Sequence, residues 1–123
     1  MKVFVDVDDT LVIYAGNHVH PHGVLRGDPY KPNYALIEKL KKLDGGDLII
    51  WSGEECRYAE EVGLLVLGDI PFKAATKGDD SLHIRPGDII IDDQKDCYAS
   101  LKVLGIHVFG PHEDWNLEEV DSV

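Results

Sequence analysis

Val3-Phe4-Val5-Asp6-Val7-Asp8-Asp9-Thr10 is the stretch that decides the fold. A short apolar run of β-branched and aromatic residues suits a strand buried on both faces, as in a parallel sheet. Acids follow it at once, so the strand finishes in charge. Two later stretches have the same form. Leu48-Ile49-Ile50-Trp51 runs into Ser52-Gly53, and Ile89-Ile90-Ile91 runs into Asp92-Asp93-Gln94.

Helical periods separate these runs. Leu36, Ile37, Leu40 and Leu43 share one face over residues 34–43, with Pro32 and Asn33 at the start and Gly45-Gly46 at the stop. After Ser52-Gly53 a second helix carries Glu54 and Glu55 in its first turn and turns Ala59, Val62, Gly63 and Val66 inward. A weaker strand falls at Pro71–Ala75, and Arg85-Pro86-Gly87-Asp88 reads as a turn before Ile89. A helix over 96–104 groups Cys97, Tyr98, Leu101 and Leu104 and ends at Gly105; Ile106-His107-Val108-Phe109 is the last strand. This alternation predicts an α/β fold: a doubly wound, mainly parallel, five-stranded sheet with helices on both faces, Rossmann-like. Residues 1–123 read as a single domain. Tyr14–Lys31, rich in His, Pro and Gly, reads as a flap-like insertion, because so long a connection is usually functional.

Composition narrows the function. The chain has 123 residues, 44% hydrophobic and 28% charged, ordinary for one globular domain. Its formal net charge of −11 repels polyanions, which disfavours stable nucleic-acid binding. No apolar run reaches the roughly 18 residues of a membrane span. Asp6 stands where a signal peptide needs its apolar stretch, so the expected location is cytoplasmic, away from membranes. Cys56 and Cys97 are too few and too far apart for a zinc ribbon or a CxxC pair, and read as reduced thiols. The tail, Glu113–Val123, holds five acids and no base and reads as a solvated or fraying end.

In an open parallel sheet, ligands gather beyond the carboxyl ends of the strands. Three strands deliver Asp6, Asp8, Ser52, Asp92 and Asp93 to that rim. Crowded carboxylates need a cation, and oxygen ligands without His or Cys favour Mg²⁺ before Ca²⁺. Such a rim is equipped for phosphoryl chemistry, with one carboxylate attacking phosphorus and a second holding a proton for the leaving oxygen. A hydroxyl such as that of Ser52 would donate to a phosphate oxygen, and a Lys or Arg must complete the positive charge.

On these residues the sequence resembles the haloacid dehalogenase (HAD) superfamily of phosphohydrolases. The family's apolar strand and DxDxT appear as Val3-Phe4-Val5-Asp6-Val7-Asp8-Asp9-Thr10, its strand ending in Ser or Thr as Leu48–Ser52, and its strand ending in paired acids as Ile89–Asp93. The resemblance implies a HAD-type phosphoric monoester hydrolase in which Asp6 is the nucleophile, forming a phosphoaspartate, and Asp8 the general acid/base. Ser52 would hold the phosphate. Mg²⁺ would sit between Asp6, the main-chain carbonyl of Asp8, Asp93 and Asp92. Lys77 and Arg85 both stand where the family's basic residue is found, with Lys73 also near. Thr10, Gly53, Lys73 and Arg26 complete the expected substrate contacts. Asp9 occupies a position that is often Gly in relatives.

No inserted cap domain is present, so the resemblance is to a minimal, capless member. An open site of that kind takes bulky phosphoesters: a nucleotide, a polynucleotide-end phosphate or another phosphorylated small molecule or macromolecular end. A lid lent by a partner subunit in an oligomer is the other way to cover it. His18, His20 and His22 alternate, as zinc ligands on a strand would, but Pro21 and Gly23 interrupt any strand there. They read better as part of the flap, with a His or Arg26 touching substrate. The competing functions are a receiver-like signalling domain, which also clusters acids with a hydroxyl and a Lys, and a catalytically inactive HAD-like binding module.

Overall fold

Val3, Phe4 and Val5 are completely buried, and the strand they form, β1 (Val3–Asp6), is the middle of the sheet. The structure is a computed structural model that describes residues 1–14, 23–43, 48–53, 56–79 and 83–113. Along the chain β1 is followed by β2 (Val12–Tyr14), β3 (Tyr30–Pro32), α1 (Tyr34–Leu40), β4 (Leu48–Ser52) and α2 (Cys56–Leu67). Then come β5 (Lys73–Thr76), β6 (Ile89–Ile91), a 3-10 helix (Lys95–Leu104) and β7 (His107–Phe109). A second, short 3-10 turn, Val24–Arg26, precedes β3.

The main sheet has five strands in the order β5-β4-β1-β6-β7, every neighbouring pair parallel. The chain winds outward from β1 through β4 to β5, then returns to β6 on the other side of β1 and continues to β7. That reversal makes the sheet doubly wound and creates a switch point between β1 and β6.

Strand parity then sorts the core into two layers. Val3, Val5, Leu48, Ile50, Ile89 and Ile91 pack with Leu36, Ile37, Leu40, Ala59, Val62 and Leu67 of α1 and α2. Phe4, Ile49, Trp51, Ala75, Ile90 and Val108 face the other way, where Tyr98 and Leu101 of the 3-10 helix cover them. Helices therefore lie on both faces, as the alternation of periods predicts.

Boundaries moved for local reasons. The strand expected at Pro71–Ala75 is in register only from Lys73, since Pro71 has no N–H to give a ladder. α1 stops at Leu40, and the next residues form turns, although Leu43 still packs against the core. The helix expected over 96–104 winds as a 3-10 helix in which Tyr98 and Leu101 pack against the sheet, while Cys97 and Leu104 are exposed. It ends, as expected, on Gly105, whose φ of 85° is left-handed. The ends of the Tyr14–Lys31 stretch are paired: β2 and β3 form an antiparallel two-stranded sheet with Tyr14 opposite Tyr30. His18, His20 and His22, Glu54 and Glu55, the Gly45-Gly46 stop and residues 114–123 lie outside the described residues. Glu113, the first residue of the acidic tail, pairs with Lys95.

Asn33 joins three parts of this fold. Its side-chain oxygen accepts from Leu36 N–H at 3.3 Å and caps α1. Its amide nitrogen donates to the carbonyls of Thr10 at 2.9 Å and Pro111 at 3.0 Å, tying the loop after β1 to the chain after β7. Asn33→Ala leaves two carbonyls short of a donor and α1 uncapped, so it should lower stability by about 2–3 kcal/mol in urea unfolding. Asn33→Asp should fail to restore it, because it keeps the cap but has no N–H; recovery to the parent value would disprove the tie.

Candidate metal centre at the carboxyl rim of the sheet

The register brings distant residues to one edge. Asp6 lies opposite Trp51, Val5 opposite Ile91 and Ser52 opposite Thr76, so Asp6, Ser52, Lys77 and Asp92 sit at or one residue beyond four adjacent strand ends. Parity aims Asp6, Lys77 and Asp92 toward the layer of Phe4, Trp51, Ala75 and Ile90. Ligand oxygens of Asp6, Asp92 and Asp93 all come within 4.8 Å of one another. A hard cation binding oxygen at roughly 2.0–2.6 Å keeps its ligands within about 4–5 Å of each other, so the cluster can hold such an ion.

Lys77 supplies the countercharge. Its ammonium is 2.8 Å from Asp6 Oδ1 and 2.8 Å from Asp92 Oδ2. Burial opposes the ammonium's charge, but the two carboxylates outweigh it and hold the Lys77 pKa above its ordinary value. The same ammonium lies 5.9 Å from the centre of the Trp51 ring. Three carboxylates against one ammonium still leave an excess of two negative charges, which matches a divalent cation. Asp6 shows the strain of this excess. Burial first, then the charge of Asp92, push its pKa from 3.8 to about 8, against the opposing pull of Lys77. Asp93 is also raised, by burial and then by a hydrogen bond and charge from Asp92, although its bond with Asp6 lowers it.

Thr10 is completely buried beneath the cluster rather than open to a ligand. Its hydroxyl accepts from Asp93 N–H at 3.0 Å and reaches Asp6 Oδ2 at 3.4 Å. Of the expected substrate contacts, Thr10 is thus a strut between the two acidic strand ends. The loop that carries it turns tightly: Leu11 N–H donates to the carbonyls of both Asp6 and Val7, and Asp9 takes a φ of 56°. Asp tolerates that left-handed conformation better than most residues, which accounts for an Asp at a position suited to Gly.

Asp8 does not join the cluster. Its Oδ1 accepts from the hydroxyls of Tyr14 and Tyr58, the latter at 2.7 Å. Burial, and after it the bonds to Asp8 and Tyr58, raise the Tyr14 pKa, so that hydroxyl stays a donor. Ser52 is buried, its carbonyl accepting from Lys77 N–H at 2.8 Å, and Gly53 beside it is exposed.

Among the basic residues the structure separates what sequence distance did not. Arg85 lies at the opposite end of the sheet, exposed, with its N–H bonded to Asp88 and with Met1 and Lys2 close by. It cannot reach the carboxyl rim. Lys73 begins β5, three residues before the rim end of that strand, and is exposed. Arg26 is exposed in the short 3-10 turn. Tyr98 was missed by reading it only as an apolar helix position. Burial, then the charge of Asp92, raise its pKa, and Lys77 opposes, so its hydroxyl lies within the field of the site. A Tyr three residues before a partly buried Leu was the available signal, and it carried no information about what lay across the sheet.

Comparison with models of protein families, with curated proteins and with solved structures finds no match to this chain. The fold and its rim define the class: a parallel α/β sheet with an aspartate cluster at its strand ends. No helix among the described residues is long and apolar enough to cross a membrane.

The raised acid at Asp6 has a definite sign. The folded protein keeps a proton that the unfolded chain has released, so its contribution favours folding least at high pH, and stability should fall as pH rises from about 4 to about 8. A cation takes the place of that proton, so its stabilisation should grow over the same window. In thermal unfolding, Mg²⁺ should raise the midpoint more at pH 8 than at pH 5, and Asp92→Asn should remove most of the response. A midpoint indifferent to divalent cations at both pH values would rule out the metal centre.

Proposed function

We propose that this protein is a Mg²⁺-dependent phosphohydrolase of the HAD type that works through a phosphoaspartate on Asp6. The observation that carries the reading is the set of Asp6, Asp92 and Asp93 at adjoining strand ends with Lys77 between two of them. Asp6, Asp92, Asp93 and the main-chain carbonyl of Asp8 would hold the ion, which supplies neutralisation of phosphate charge. Lys77 is the basic residue of this reading, supported by its two ion pairs; Arg85 is withdrawn from that role. In the reaction an Asp6 carboxylate oxygen forms a bond to phosphorus as the ester P–O bond breaks. The departing oxygen keeps the electron pair and takes a proton from Asp8. Water then attacks phosphorus, gives a proton back to Asp8, and the bond to Asp6 breaks. Phosphomonoester and water become alcohol and phosphate. Lys77 and the Ser52 hydroxyl stabilise the transferring group.

The chain forms one unit in this reading, with a flap based on β2 and β3 and, among the described residues, no cap over the site. The substrate class that fits an open rim is a bulky phosphoester, such as a nucleotide or a polynucleotide-end phosphate, acted on in the cytoplasm. Strand order speaks against the receiver alternative. Numbering only the strands of the main sheet in chain order gives 3-2-1-4-5 here, whereas receivers follow 2-1-3-4-5.

Phosphate release from an aryl phosphate, with Mg²⁺ and with chelator, tests the reading. Asp6→Asn should cut release by roughly a thousandfold or more with an unchanged circular dichroism spectrum. Lys77→Met should cost about a hundredfold or more. Release by Asp6→Asn equal to that of the parent would remove the phosphoaspartate.

A further inference from the structure

Asp8 owes its position to two hydroxyls from elsewhere in the fold. Tyr14 ends β2, and Tyr58 comes from the first turn of α2, fifty positions along the chain from Asp8. Both donate to the same oxygen, Oδ1, and their own oxygens lie 3.3 Å apart. Tyr58 Oη in turn accepts from Val24 N–H at 3.3 Å. Gly23 packs against this group so closely that a Cβ there would lie 3.2 Å from Tyr58 Oη. Among the described residues, Oδ2 of Asp8 has no bonded partner. The carboxyl group is thus gripped by one oxygen with the other left available. A carboxyl held through one oxygen loses the freedom to swing about its side-chain torsions, and proton transfer is efficient only when the acid stays within hydrogen-bond reach of its acceptor.

We propose that Tyr14 and Tyr58 are positioning residues that clamp Oδ1 of Asp8 and so present Oδ2 as the oxygen that gives and takes the proton. This rests on the phosphohydrolase reading, in which Asp8 is the acid/base. Neither tyrosine touches the transferring phosphoryl group in this scheme; each acts only through Asp8. The end of β2, the first turn of α2 and the Gly23-Val24 turn all meet at this clamp.

Dependence on the leaving group separates positioning of an acid from general damage. A strongly acidic phenol departs without help, whereas an alkoxide needs the proton. The experiment compares 4-nitrophenyl phosphate, phenyl phosphate and an alkyl phosphate in the parent, Tyr14→Phe, Tyr58→Phe and both together, each also in an Asp8→Asn background. Each Phe variant should lose about tenfold in kcat/KM on the alkyl ester, a ratio that covers the step up to departure of the leaving group and leaves out the later hydrolysis common to all three esters. It should stay within about twofold of the parent on 4-nitrophenyl phosphate, which also reports a folded site. In the Asp8→Asn background the Phe changes should have no further effect on any ester. Equal losses on all three esters by both single variants, or no loss on any, would overturn the clamp while leaving the phosphatase reading intact. Absence of Asp6-dependent release in the parent would sink the phosphatase reading, and the clamp with it.

Discussion

Asp6 and Asp92 are buried next to each other, 7% and 1% exposed, and the ammonium of Lys77 between them is what makes that arrangement tolerable. Two like charges at such a distance from water repel strongly, and each has lost hydration besides. Lys77 restores part of the balance from the end of β5, and a proton on Asp6 restores more. The remaining deficit is a property of the strand register, not of any one side chain. As long as β4, β1 and β6 run parallel with these residues opposite one another, the rim collects negative charge and offers it to a cation.

The supports beneath this rim are neutral and buried. Thr10 links Asp6 to Asp93, and Asn33 holds the Thr10 carbonyl and the Pro111 carbonyl at once. Neither carries charge, so neither adds to the crowding above it. Hydrogen bonds of this kind contribute modestly when made, but leaving a buried partner without one costs more. The geometry of the acids is thereby fixed by groups that no ligand needs to touch. On the other side of the β1 loop, Tyr14 and Tyr58 treat Asp8 differently, holding it apart from the cluster.

Most of the architecture was legible because its signals are local. The apolar runs at Val3, Leu48 and Ile89 are strands buried on both faces, and the parity within them assigns each residue to one of two layers. Asn33 stands at the expected start of the first helix, and its side chain caps it. The two further bonds of its amide were not legible, because both acceptors come from other parts of the chain. The short strands β2 and β3 escaped notice for a related reason: three residues each, they give too little pattern to count, and their pairing closes across a long intervening segment.

The sequence by itself determined that acids follow β1 and β6 and a hydroxyl ends β4, since each lies directly after an apolar run in the chain. It left Lys77 and Arg85 as equals, eight positions apart. Only the tertiary structure separates their positions, because β5 reaches the rim at Thr76, whereas the turn at Arg85 enters β6 from the opposite end. Likewise Tyr58 and Asp8 have no relation along the chain, and meet because α2 packs across the sheet beside the β1 loop. Periodicity fixes which face a residue occupies; which residues meet at an edge depends on the direction and register of strands far apart in sequence.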